Sequence, residues 1–82
     1  MSANIAALER VVELLQGRDS VTERVTPDLR LDDLGVDSID LVYLLTSFER
    51  TDDADFEDTD FDLGQYETVR DLAATVQARI RG

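Results

Sequence analysis

The sequence contains no cysteine, no histidine, no lysine and no tryptophan, and only one proline and one methionine. Without cysteine there are no disulfides, thiolate metal sites or thiol nucleophiles, and nothing reports a redox compartment. Without histidine or lysine the chain lacks both the usual neutral-pH general base and an amine for Schiff-base chemistry. Asp, Glu, Ser, Thr and Tyr remain, a set suited in principle to carboxylate-pair chemistry. No glycine-rich loop accompanies them to house a substrate, so a non-enzyme is favoured over a small carboxylate-based hydrolase. The longest apolar run, Leu41 to Leu45, falls far below the roughly 20 residues of a membrane span. The first ten residues also lack the basic and apolar regions of a secretion signal. A cytoplasmic protein without membrane association is expected.

What is present is acid. Nineteen Asp and Glu face eight basic residues, all arginine, for a formal net charge of −11. That charge repels a phosphate backbone and argues against nucleic-acid binding, so any charged partner should be basic. At 82 residues the chain is near the lower size at which one core holds without staples, and a single domain spanning 1–82, expected as a monomer, follows.

Three segments carry helical periodicity. From Asn4 to Gln16, Ile5, Leu8, Val12 and Leu15 share a face with Val11 and Leu14 beside it; Ser2 or Asn4 is placed to cap the start and Gly17 to end the helix in the left-handed conformation. Arg18 to Asp37 has no sustained period and contains Pro27 and Gly35. It reads as a long loop pinned by Val21, Val25, Leu29, Leu31 and Leu34. The next helix opens at Asp37, has Asp40 at its third position and runs to Phe48 or Arg50. On a wheel of 100° per residue its core stripe is Leu41, Leu44, Leu45 and Phe48, while Ile39, Val42 and Tyr43 fall outside.

Seven of the eleven residues from Asp52 to Asp62 are acidic and none is basic, which predicts an extended, hydrated segment anchored only by Phe56 and Phe61. A short helical turn is expected around Asp62 to Tyr66. Thr68 and Asp71 then stand at capping-box spacing before a last helix with Val69, Leu72, Val76 and Ile80 on one stripe. The fold class is all-α: three main helices, a short third helix and a long first loop. A calcium-loop reading of Asp53, Asp55 and Glu57 fails, because Asp58 stands where the turn glycine is needed and Gly64 where the bidentate glutamate is needed.

The informative stretch is Leu31 to Leu41, where Ser38 opens a helix directly after the long loop. A phosphate attached there would meet unpaired N–H groups and the positive end of the helix dipole. Ser38 is a poor nucleophile by itself, since no His or Lys exists to take its proton, so another enzyme must activate it. A serine that merely caps the helix would leave the long loop and the apolar residues beside it unexplained.

Asp37-Ser38-Ile39, with Gly35 two positions before the Asp, resembles the motif of the acyl carrier protein family, placed at the start of the second of four helices. Thr68-Val69-Arg70-Asp71-Leu72 is similar to the family's Thr-Val-x-Asp-Leu, and the likeness extends over nearly the whole chain. The resemblance implies a four-helix carrier bundle and a 4′-phosphopantetheine arm on Ser38. A phosphopantetheinyl transferase places that arm using coenzyme A and magnesium, and the arm carries acyl or aminoacyl groups as thioesters. Asp37 is then the motif aspartate. Ile39, Asp40, Val42, Tyr43, Thr46 and Glu49 are expected to form the docking surface for loading enzymes and for ketosynthase, condensation-type and acyltransferase partners.

The family's fatty-acid members display a run of glutamates on this second helix, whereas here the matching surface shows Tyr43, Thr46, Ser47, Glu49 and Arg50. The acid has moved to Asp52–Asp62. This departure favours a stand-alone carrier of a specialised polyketide or nonribosomal peptide pathway. The alternatives are a fatty-acid carrier and an acidic interaction module without a cofactor.

Overall fold

In the computed structural model, which describes residues 3–80, four α-helices and two 3-10 turns follow one another without a strand among the described residues. They are α1 (Ala3–Gln16), α2 (Leu31–Leu34), α3 (Ser38–Thr51), 3-10 turns at Asp58–Phe61 and Leu63–Gln65, and α4 (Val69–Arg79). Helix α1 buries Ala7, Val11 and Leu15, spaced four apart on one face, and packs mainly on α4. The expected cap at Ser2 lies outside the described residues, and Asn4 lies inside the helix with its side chain also outside them. Gly17 does end α1, its N–H reaching Glu13 O at 3.2 Å. It does so without a left-handed turn, since Gly35 and Asp53 alone have positive φ among the described residues.

The long connection is pinned rather than free. The Gln16 side chain holds it at two points, donating to Glu23 O at 2.8 Å and accepting from Val25 N at 2.8 Å, while Val21 and Val25 plug the core. Further on, Pro27 O accepts from Arg70 N at 2.9 Å and Leu29 O from Val69 N at 3.0 Å. The connection thereby satisfies donors at the start of α4 that have no partner within the helix. The expectation of a loop over Arg18–Asp37 is corrected at its end, where Leu31 and Leu34, both buried, close the single helical turn α2. Four residues are too few to show a helical period in sequence.

Helix α3 turns Leu41, Leu44, Leu45 and Phe48 inward, all at 1 % exposure or less, as the wheel predicts. Helix α4 buries Val69, Leu72, Ala73 and Val76, and its capping box is formed: Asp71 N donates to Thr68 Oγ1 at 3.2 Å and Thr68 N to Asp71 Oδ2 at 3.1 Å. Ile80 sits partly buried just past that helix, bridged to Ala54. The short helical turn expected around Asp62 to Tyr66 is present as the 3-10 turn Leu63–Gln65, and a further 3-10 turn, Asp58–Phe61, precedes it.

The acidic segment departs most from expectation. Asp60 is 6 % exposed and Ala54 8 %, and Phe56 meets Phe61 edge to face at 6.2 Å. The segment folds because its bases come from elsewhere in the chain. Arg79 of α4 grips Asp60 with two bonds, at 2.8 and 3.1 Å, and Arg10 of α1 grips Asp52 at 2.6 and 2.7 Å. Tyr66 donates its buried hydroxyl to Asp60 O at 2.6 Å. Self-repulsion within the segment is therefore outweighed locally by paired, partly dehydrated charges.

Leu45→Ala or Phe48→Ala is expected to cost about 2 to 5 kcal/mol, because each leaves a cavity in a core of a domain with little stability to spare. Urea unfolding checks this; a loss below about 1 kcal/mol would place these side chains at the surface.

Candidate functional site

The turn that delivers Ser38 is set by Gly35. Its φ of 77° ends α2 in the left-handed region, and a Cβ there would meet Ser20 O at 3.4 Å, so a side chain is disfavoured by conformation first and by space second. Val36 is buried just beyond it and Asp37 is extended, with φ −114° and ψ −177°. Asp37 caps α3: its Oδ1 accepts from Asp40 N at 2.9 Å, and Asp37 N donates back to Asp40 Oδ2 at 3.1 Å. Ser38 is therefore the first helical residue. It is exposed, and its hydroxyl makes no hydrogen bond with another described residue.

Asp40 was expected on the docking rim, and the structure corrects this. It is 3 % exposed. Besides closing the capping box it accepts from Arg18 Nε at 2.8 Å and from the Ser20 hydroxyl at 2.7 Å. Burial pushes its carboxyl up, but the bonds from Arg18, Ser20 and Asp37 N outweigh burial and hold it below the usual carboxylate range. The wheel carried a trace of this, since Asp40 lies nearer the core stripe than Ile39, Val42 or Tyr43. Arg18, twenty-two positions earlier, gave no sequence signal of its own. Its guanidinium also lies over the Tyr43 ring, 4.4 Å from the centroid.

The other residues of the expected surface lie around Ser38 on α3. Ile39 is 69 % exposed, and Val42 and Tyr43 are each 45 % exposed; the long connection does not fold over them. Thr46 is half-buried, its hydroxyl donating to Val42 O at 2.8 Å, and Glu49 is exposed. Beside Ser38 opens a cleft of about 320 Å³ between Gly17–Ser20 on one wall and Asp37, Ile39 and Asp40 on the other. A larger one of about 550 Å³, between Arg30, Asp32, the second 3-10 turn and Asp71, contains none of Asp37, Ser38 and Ile39.

Chemically the site offers an accessible hydroxyl at the positive end of a 14-residue helix, flanked by apolar side chains and by carboxylates that are capped or clamped. Among the described residues no group of three or more His, Cys, Asp or Glu side chains is placed to hold a metal ion, and no helix is long and apolar enough to cross a membrane. Compared with known families, the chain matches the model described as phosphopantetheine attachment site over residues 9–76, from the second turn of α1 through most of α4.

Three carboxyls, Asp40, Asp52 and Asp60, are held below their ordinary value. At Asp40 and Asp52 burial opposes and the arginine-led bonds prevail; at Asp60 the Arg79 bond is itself the leading influence. A carboxyl depressed on folding adds stability that is present above its unfolded pKa and is lost as the pH falls through its folded one. Stability is thus expected to hold from neutral pH to about 5 and to fall below about 4. In Asp60→Asn it should be lower at pH 7 and converge with the wild type in acid. Urea midpoints against pH check this; stability that rises steadily towards the pI would mean that relief of net charge dominates.

Proposed function

Because the chain belongs to the phosphopantetheine attachment family, whose cofactor is a covalently held 4′-phosphopantetheine, we propose that Ser38 is the residue that bears it. The observation that carries the reading is the exposed Ser38 hydroxyl on the first residue of α3, presented by the Gly35 turn within the matched region. The residues present fit the group. The hydroxyl is open to a transferase, the helix end favours an attached phosphate, and the chain has no histidine or lysine to make the serine react unaided. When bound, the arm supplies a terminal thiol that holds acyl or aminoacyl groups as thioesters.

The chain's own residues then present the arm. Asp37 caps the helix so that Ser38 projects from its first turn, and Ile39, Val42, Tyr43, Thr46 and Glu49 form the surface beside it on which a phosphopantetheinyl transferase and pathway enzymes dock in turn. Carriers of this family act on their cargo through such partners rather than by catalysis of their own. The apolar character of that surface supports service in a polyketide or nonribosomal peptide pathway: Ile39, Val42 and Tyr43 are exposed, and Glu49 is the exposed acid among its five residues. The reading takes the 82 residues as one monomeric carrier unit in the cytoplasm.

Ser38→Ala should leave the urea midpoint nearly unchanged and abolish labelling by a transferase with a fluorescent coenzyme A analogue, since only the acceptor oxygen is lost. Equal labelling of mutant and wild type would sink the assignment. Val42→Asp in the loaded protein should raise the Michaelis constant of a loading enzyme for the carrier with little loss of stability, because it puts charge into a contact meant to be apolar. Unchanged kinetics would place the docking surface elsewhere.

A further inference from the structure

Arg18 touches both halves of the proposed site, and this role rests on the reading of Ser38 given above. With its edge, through Nε, it holds the buried Asp40 carboxylate at 2.8 Å; with its face it covers Tyr43 at 4.4 Å. Asp40 closes the capping box of the turn that bears Ser38, and Tyr43 is the large aromatic of the exposed apolar surface. We propose that Arg18 is a positioning residue that fixes the Ser38 turn and the Tyr43 ring as one rigid unit, so that a modifying enzyme meets both already in place.

The physical case is that each contact alone is weak at ordering what it touches. Tyr43 is nearly half exposed, and without a neighbour on its face its ring is free to change rotamer. The first turn of a helix frays unless its cap is fixed from outside. Arginine suits both tasks at once, because its planar group bonds along its edge while stacking on its face; a lysine offers a point charge without that geometry. Arg18 itself is anchored just past the end of α1, where Arg18 N donates to Leu15 O at 3.0 Å and Arg18 O accepts from Val21 N at 3.0 Å. The site is thereby referenced to α1, the helix that packs along α4. Holding these groups in place before an encounter removes an ordering cost from the complex.

The test is a mutant cycle on transfer of the arm from a coenzyme A analogue to the apo protein, at a temperature where every variant is folded. Arg18→Gln should lower kcat/KM about 5-fold or more, chiefly through KM. Tyr43→Ala should lower it comparably, and the double variant should lose clearly less than the product of the two single losses, because either change removes the Arg18–Tyr43 contact. Arg18→Lys should restore thermal stability more fully than it restores KM. Arg10→Gln, which breaks the clamp at the far end of α3, should load as the wild type does. Independently of any arm, amide exchange at Asp40 and Leu41 should quicken in Arg18→Gln and not in Arg10→Gln. The inference is overturned if Arg18→Gln loads like the wild type, if the two losses multiply, if Arg10→Gln is equally slow, or if the exchange rates at Asp40 and Leu41 do not change. A wild type that takes no arm, with exchange still quickened by Arg18→Gln, would instead overturn Ser38 as the attachment site and leave the coupling of Arg18 to the helix turn standing.

Discussion

Asp40 is a carboxylate with 3 % exposure in a chain of net charge −11, and nearly everything around Ser38 depends on its being tolerated there. An unpaired buried charge of this kind would either take up a proton or unfold its surroundings. Arg18, Ser20 and the Asp37 amide supply three donors to its two oxygens. In consequence the end of α1 and the start of α3 are tied at one point, although the two helices otherwise make few contacts.

The same device recurs at Asp52 with Arg10 and at Asp60 with Arg79. In each case an arginine from α1, its end, or α4 reaches an aspartate at the start of α3, at its end, or in the 3-10 region beyond. Arg10 also covers the Phe48 ring at 4.8 Å, so two of the three clamps join an ion pair to an aromatic face. Clustered acid usually argues for a solvated segment, and here that argument fails locally because a few well-placed cations matter more than the sum of charges. The acids left outside the clamps keep the surface strongly negative, which suits partners with basic rims.

The helices and their inward faces were legible because periodicity is a local property. Leu41, Leu44, Leu45 and Phe48 repeat at helical spacing, and Thr68 with Asp71 announces a cap three residues apart. The short helix α2 and the 3-10 turn at Asp58–Phe61 were not legible, since four residues hold only about one turn, too little for a repeat to show, and are shaped by what they pack against. Asp40 was misplaced on the surface for a related reason: a carboxylate at a helix start is usually a solvated cap, and its burial depends on Arg18, which the linear order sets twenty-two residues away.

By itself, then, the sequence determined the class of molecule. Absent cysteine, histidine and lysine removed most chemistry, and a serine opening a helix after a Gly35 turn marked the point at which we propose the modification, because composition and short-range spacing act through local physics. Tertiary structure alone decided which of the seven acids between Asp52 and Asp62 would be buried, and that the long connection would seal the start of α4 rather than cover Ile39 and Val42. It alone brought Arg18 against both Asp40 and Tyr43. Those outcomes turn on which distant side chains come within hydrogen-bond reach once the apolar faces have met, and pairing across such separations leaves no period, run or spacing in the chain.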